Sequence, residues 1–451
     1  MKKSLVLLLT LLFIIIISSG NALAQKKAEK QIIFEYVDPL KKVFPETSYF
    51  PFERATADVA RGEHASFQFV LRSGLPMENV SVSVVAPQQR DTKLDGIKTG
   101  FVGFVPVTRP TPSPGRDYLN SVSGYYPDPI LENPVMDVKP TVTQPIWVTV
   151  KIPENTETGN YIGEVIITGK LAGKKFSLSK TINIQVFEPV IQKTSLWVTN
   201  WYSIDNLSRI NEGVEFEDYS DDYWKYARIM AKKMAEYRQN VVMISPLDAA
   251  NYKVKNGRWS FDFSNFNKLV NIMIEEEAIG RIEGGHIGRR GFQDWSGPFV
   301  VKIPREKEGK WELDTISIYQ DEAKNFYGQF FPALETNLKD NGWLDIYMQH
   351  IADEPIRSNR DSYVEITTFV NSLVPDMKII EACHTRDLDG VIDIWVPQLN
   401  FLNDDFDFYR EQMEQGKEVW FYTCLAPQEN YANRFIQQPL IKTRILHIRN
   451  Q

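Results

Sequence analysis

The sequence predicts a mixed fold in two parts, an antiparallel β-sandwich followed by a (β/α)8 barrel that lacks its last strand. Three observations lead there. The hydrophobic pattern changes near residue 190 from plain alternation to strand followed by helix. Seven apolar strand candidates come after that change. The length of 451 residues, with 43% hydrophobic and 24% charged residues, suits one smaller domain plus a barrel of about 250 residues.

The first 24 residues stand apart from both domains. Lys2 and Lys3 precede an apolar run from Leu5 to Ile17, and the small-residue end Ala22-Leu23-Ala24 follows. This reads as a cleavable signal with the cut before Gln25. The run is short against the roughly 20 residues a membrane span needs, and no later apolar stretch approaches that length, so no span is expected after cleavage. The expected organisation is a signal at 1–24, a sandwich at 25–190 and a barrel at 191–451, in a protein exported to the periplasm or beyond. The net charge is −7, and the leader carries two lysines and no acid, so the mature chain is more acidic still. That balance argues against nucleic acid as a partner, because phosphate binding needs a basic surface. Two cysteines and five scattered histidines give no spacing that suggests a metal site, so neither metal nor cofactor is expected. Cys383 and Cys424, on non-neighbouring strands, are expected to be buried thiols.

In the first domain, His64–Leu71, Val80–Val85, Gln144–Val150 and Thr181–Val186 alternate apolar and polar residues, the mark of strands with one buried face. Thr158-Gly159-Asn160 and Leu171-Ala172-Gly173 are turn signals between them. The proline-rich stretch Pro106–Pro140 reads as a long loop of the binding or interdomain kind.

In the second domain, strands are expected at 196–203, 240–245, 281–288, 343–354, 378–385, 392–399 and 418–425. Helices are expected at 223–237, 266–277, 321–339, 362–373 and 405–416, with a decorated loop before the third. Alternating apolar strands and amphipathic helices imply a parallel sheet, and the absence of a glycine-rich loop after the first strand argues against a dinucleotide fold.

Chemistry in such a barrel sits at the carboxyl ends of the strands. The ends here carry Trp201 and Tyr202, His286, His350 with Asp353 and Glu354, Glu381 with His384, Gln398 and Asn400, and Tyr422. Carboxylates, imidazoles, amides and aromatics with few cations suit a sugar better than a phosphate. Asp353-Glu354 is the sharpest feature. Pro355 should hold Glu354 extended, and strict alternation would put the two acids on opposite faces, so both serve one ligand only if the strand bends there.

Several segments together resemble glycoside hydrolase family 123. They are Gln349-His350-Ile351-Ala352-Asp353-Glu354-Pro355, Trp395-Val396-Pro397-Gln398, Trp420-Phe421-Tyr422-Thr423-Cys424 and Asn433-Arg434-Phe435, with Tyr125-Tyr126-Pro127-Asp128-Pro129 in the sandwich. The resemblance implies an exported, retaining β-N-acetylgalactosaminidase or related β-N-acetylhexosaminidase acting on an N-acetylated glycan. It implies substrate-assisted hydrolysis, in which the sugar's acetamido oxygen attacks its own anomeric carbon. On that basis Glu354 is the general acid with a raised pKa, and Asp353 orients the acetamido group. Trp201, Tyr202 and Tyr422 are expected as an apolar wall, and His286, His350, His384, Gln398 and Asn400 as hydroxyl partners. Glu381 is the rival nucleophile for a two-carboxylate mechanism. A silent carbohydrate-binding protein and a structural surface protein are the alternative classes. The resembled family has an eighth strand, so the chain is also expected to be truncated and prone to aggregation through unpaired edges.

Overall fold

A computed structural model describes residues 31–111, 115, 117–191, 196–202 and 216–446; the expected signal and Ser203, the last residue of the expected first barrel strand, lie outside them. Among the described residues, those up to 191 together with 428–446 form one compact unit, and those from 196 to 427 form another. The chain after 428, assigned from sequence to the barrel, thus packs in the first unit. Thr111 and Leu119 donate their N–H groups to the Gln437 Oε1 and carbonyl oxygen at 3.1 and 3.0 Å.

The first unit is built from two β-sheets. One has the spatial order Ile32–Val37, His64–Ser73, Gln144–Lys151, Ile97–Val107, Gly124–Leu131, all neighbours antiparallel. The other has the order Thr56–Arg61, Lys174–Val190, Gly159–Leu171, Met77–Gln89, Thr92–Lys93, with Val135–Val138 also pairing to Met77–Gln89. The expected period of two is visible in what is buried. Tyr161, Gly163, Val165 and Ile167 face inward while Asn160 and Ile162 face out. Phe67, Phe69, Ile146 and Val148 from one sheet share a core with Tyr161, Val165, Ile182 and Ile184 from the other. Each such side chain stabilises the fold by about 1.5–3 kcal/mol. His64–Ser73 is buried on both faces, because Val70 also packs with Val37 and Val43.

The proline-rich stretch is not the structureless loop expected. It contains the strands Gly124–Leu131 and Val135–Val138. The first lies at a sheet edge, where Pro127 and Pro129 need no ladder partner on the open side. Two buried tyrosines tie the chain where it enters strands: Tyr126 donates to the Val122 carbonyl at 2.7 Å, and Tyr161 to the Glu157 carbonyl at 2.9 Å.

The second unit centres on a parallel sheet, labelled within this unit as β1 (Val241–Met243), β2 (Arg281–Gly284), β3 (Tyr347–Gln349), β4 (Lys378–Cys383), β5 (Ile394–Pro397) and β6 (Glu418–Val419). The strands lie side by side in chain order. Helices α1 (Asp221–Glu236), α2 (Ser264–Glu275), α3 (Asp321–Asp340), α4 (Arg360–Leu373), α5 (Leu399–Asp404) and α6 (Phe406–Glu414) accompany them. Ser220 caps α1 by accepting the Tyr223 N–H, and Asp221 and Asp222 complement its positive end. The helix buries Tyr223, Ala227, Ala231 and Met234, one stripe at helical spacing. No described helix is long and apolar enough to cross a membrane.

The seven-stranded, incomplete barrel expected from sequence is seen only in part: among the described residues the parallel sheet has six strands and stays open. Residues 196–202 form no strand. They still lie against the start of β1: the Val198 carbonyl accepts the Asn240 and Val241 N–H groups at 3.2 and 3.1 Å, and the Asn240 side chain accepts the Val198 N–H at 2.8 Å and donates to the Leu196 carbonyl at 3.0 Å. The expected strand 343–354 shrinks to β3, and the decorated loop holds an antiparallel sheet of Gly288–Arg290, Phe299–Lys307 and Lys310–Ile316.

Phe67→Ala empties a fully buried site and should lower stability by about 3–5 kcal/mol. Tyr161→Phe removes one hydrogen bond whose acceptor water can reach, and should cost about 1 kcal/mol. Denaturant midpoints at constant m-value would check both size and order.

Candidate active site

The carboxyl ends of β2, β3 and β4 converge on one carboxylate. Glu381, at 0% exposure, would be costly to bury charged unless every lone pair were used. Its Oε1 accepts from His350 Nδ1 at 2.9 Å and His286 Nε2 at 3.2 Å. Its Oε2 accepts the Ile351 and Ala352 N–H groups, both at 2.9 Å, and the Tyr363 hydroxyl at 3.3 Å. Burial opposes ionisation, but His350 and His286 hold the carboxyl down to about 2. Burial alone would lower the His350 pKa, yet Glu381 beside it and Glu283 behind it raise it to about 10. The rival-nucleophile role expected for Glu381 therefore conflicts with its surroundings: both oxygens are committed and neither is exposed.

Glu283 on β2 is the residue that sequence reasoning missed here. It is buried, lies 3.7 Å from His350 Nε2, and accepts from Trp201 Nε1 at 3.1 Å and Thr199 Oγ1 at 2.9 Å. A glutamate inside the apolar run of β2 was the available signal. Trp201 is thereby fixed edge-on to His286 and His350, at 5.3 and 5.5 Å between ring centres, with 44% of its surface open. Close packing behind the site requires Gly284, where a Cβ would meet the Tyr347 hydroxyl oxygen at 2.0 Å.

The strand does bend before the acidic pair, but not as Pro355 led us to expect. Glu354 is left-handed, with φ 51°, not extended. Arg290 Nη2 donates to the Glu354 carbonyl at 2.5 Å, and His384 N–H to the Pro355 carbonyl at 3.1 Å, which over-determines the turn. Asp353 then lies within the fields of His286, Glu381, Glu354 and Arg290. The Glu354 carboxylate accepts from the Tyr422 hydroxyl and sits 3.3 Å from His384 Nε2.

The two acids are pushed in opposite directions. Burial raises the Asp353 pKa, helped by the Glu381 and Glu354 charges and opposed by His286. The His384 hydrogen bond lowers that of Glu354 against burial, and Tyr422 adds to the lowering. This reverses the expectation that Glu354 carries the raised pKa, because its polar partners outweigh its desolvation.

Other expected residues divide. His286, His350, His384, Trp201 and Tyr422 join the cluster. Tyr202 packs against the hydrophobic core of the unit, and burial raises its pKa. Gln398 turns its amide to Cys424 Sγ at 3.6 Å, and Asn400 lies in α5 with a buried, unpartnered Oδ1. Cys383 is buried, but Cys424 is exposed, two residues past the parallel bridge between Tyr422 and Gln398. His286, His350 and Glu381 bring three possible metal-ligand atoms within 4.8 Å, a grouping the sequence spacing did not reveal. In the structure His350 Nδ1 and His286 Nε2 both lie at hydrogen-bond distance from the same Glu381 oxygen.

Glu381→Gln breaks this buried cluster and should destabilise the unit by about 3–5 kcal/mol. A carboxyl depressed below its ordinary 4.5 loses its stabilisation as pH falls toward 2, and an imidazole raised above 6.5 loses its own as pH rises toward 10. The gap between wild type and variant should thus be widest between about pH 4.5 and 6.5 and narrow on both sides, measured by denaturant titration across pH.

Residues 201–450 match the glycoside hydrolase 123 catalytic domain, and residues 41–169 the glycoside hydrolase 123 N-terminal domain. Among solved structures, a family 123 glycoside hydrolase from Clostridium perfringens, described in work on glycolipid glycan hydrolysis, aligns over 91% of this chain and 74% of that one, at 17% identity and TM-score 0.71. A β-glucuronidase from Parabacteroides merdae aligns over 87% of this chain and 40% of that one, at 9% identity and TM-score 0.25. The Escherichia coli chaperone DraB aligns over 31% and 54%, at 10% identity and TM-score 0.18. No curated protein matches. With a catalytic-domain match spanning more than half its length, the chain belongs to glycoside hydrolase family 123.

Proposed function

We propose that this glycoside hydrolase is an exported, retaining β-N-acetylhexosaminidase, of the β-N-acetylgalactosaminidase kind, working by substrate assistance. The observation that carries the reading is the commitment of Glu381. With its oxygens used by five donors, and with Glu283 buried behind His350 and bonded to Trp201 and Thr199, the carboxylates left to act are the adjacent pair Asp353 and Glu354. A site without a spare nucleophilic carboxylate suits a substrate that brings its own. The leader expected at residues 1–24, and the C. perfringens relative described in connection with glycolipid glycans, support export and a glycan substrate.

In this reading the acetamido oxygen attacks the anomeric carbon while Glu354 protonates the departing glycosidic oxygen. The resulting oxazoline is opened by water, whose proton returns to Glu354, and two inversions give retention. Asp353 accepts the acetamido N–H and stabilises the developing positive charge. His384 holds the free Glu354 ionised, so a sugar oxygen that replaces that hydrogen bond and further buries the carboxyl raises its pKa toward the acid form. The opposite shifts in the free protein favour one second reading, with Asp353 as acid and Glu354 as orienting group.

Substrate panels separate these. Replacing the acetamide by a hydroxyl should abolish turnover, and cleavage of that analogue at a comparable rate would exclude the internal nucleophile. Glu354→Gln should slow poor leaving groups by about 10²- to 10⁴-fold while sparing activated aryl glycosides, whereas Asp353→Asn should slow both. The inverse pattern would assign the acid to Asp353. No turnover of any chromogenic N-acetylhexosaminide, with sugar binding retained, would favour a silent carbohydrate-binding protein.

A further inference from the structure

The two acids face different surroundings. Asp353 lies in the fields of His286, which packs against Trp201, and of Glu381, Glu354 and Arg290, whereas the Glu354 carboxylate meets His384 and Tyr422 and its carbonyl accepts from Arg290. From Arg290 the structure continues outward along one short segment. The Arg290 guanidinium lies 3.8 Å from the centre of the Trp295 ring, and its Nε donates to the Trp295 carbonyl at 3.1 Å. Asn359 Nδ2 donates to that same carbonyl at 3.2 Å, and the Trp295 ring is 5.9 Å from that of His384. Trp295 is thus rigidly mounted beside Glu354 yet 50% exposed. Three residues earlier stands Phe292, 93% exposed and left-handed at φ 58°.

A bulky side chain in that conformation costs strain, and one so exposed repays none of it by burial. Among the described residues its ring packs against no other aromatic. The fold gives no reason for a phenylalanine here. Next to it a depression of about 400 Å³ is lined by Arg289, Arg290, Gly291, Phe292, Val300 and Thr315, within the size range of small-ligand sites. Arg289 Nη2 also reaches Thr315 Oγ1 at 3.4 Å, so charged donors and a hydroxyl border the aromatic. Flat apolar faces beside hydrogen-bond donors are what a sugar ring requires, since its C–H face packs on an aromatic and its hydroxyls need partners.

We propose that Phe292 and Trp295 form the platform for the leaving group, binding the sugar residue on the far side of the scissile bond. The assignment rests on Glu354 as acid: the proton goes to the leaving oxygen, so the leaving group must lie on the Glu354 side, where this segment stands. The sugar that carries the acetamido group occupies the other side, toward Asp353 and Trp201.

The test compares two substrates that share the cleaved N-acetyl sugar, one with a small aryl leaving group and one with an oligosaccharide leaving group. Phe292→Ala should lower the ratio of kcat/KM for oligosaccharide over aryl glycoside about 10-fold, mainly through KM. Trp295→Ala should do at least as much, and Trp295→Phe should restore most of it. Unchanged ratios in both alanine variants overturn the platform, as does an equal loss on both substrates, which would place the aromatics against the shared sugar. A ratio that moves only when a lipid is attached to the same oligosaccharide assigns them to lipid instead and overturns it too. A wild type inert toward both substrates removes the hydrolase reading and the platform with it, an outcome distinct from active enzyme with unmoved ratios. A pattern that assigns the acid to Asp353 in the Glu354→Gln comparison likewise overturns the placement.

Discussion

The Glu381 carboxylate is the constraint from which the site is built. A charge with no access to water must be met by donors, and here two imidazoles, two backbone amides and a hydroxyl meet it. The two amides belong to Ile351 and Ala352, separated from the end of β3 only by His350. Since those N–H groups go to Glu381, the chain cannot continue as a strand, and the turn at Asp353 and Glu354 follows. His350 passes the same constraint across to Glu283, and Glu283 passes it to Trp201 and Thr199. One buried charge therefore orders residues from three strand ends and the segment before β1.

How much of this the sequence revealed depended on the range of the interaction. Period-two burial in His64–Ser73 and Gly159–Leu171 is a local property, and those strands were legible. The proline-rich stretch was misread because proline excludes a central strand but not an edge one, and edge position is decided by the rest of the sheet. In the second unit apolar runs located β1 to β6, but polar strand ends were counted as strand. His350 to Glu354 leaves the ladder only because of a glutamate some 30 positions later, which no local pattern encodes. The bend at the acidic pair could be inferred from alternation, whereas its left-handed sense could not: Pro355 favours an extended neighbour, and Arg290, 64 positions away, holds the opposite. Glu283 and Trp295 were missed for the same reason, their partners lying far off in the chain.

Neighbours in sequence need not share an environment. Asp353 and Glu354 are adjacent, yet burial governs one and hydrogen bonds from His384 and Tyr422 govern the other. The left-handed turn at Glu354 accompanies this division: Asp353 lies in the field of His286, while the Glu354 carboxylate meets His384 and Tyr422. Two carboxyls with unequal proton affinities are what acid–base work between adjacent groups requires. In the mechanism proposed above, which of them holds the proton is set by the occupant of the site, because a sugar hydroxyl could replace the His384 and Tyr422 contacts of Glu354 whereas the burial of Asp353 stays.

Shared architecture at 17% identity with another family member implies that most positions vary freely while the fold persists. The positions least free to vary are those where a change strands a buried partner. Removing Glu381 leaves two amides and an imidazolium without an acceptor; removing His350 leaves Glu283 and Glu381 facing each other. Phe292 lies at the other extreme, since nothing in the fold depends on its ring. A side chain that the fold does not need, held in a conformation that the backbone disfavours, is where a requirement from outside the protein is most legible. On the mechanism proposed above, in which Asp353 and Glu354 are the reacting groups, such exposed and strained positions are free to adapt to the leaving group without disturbing the acids.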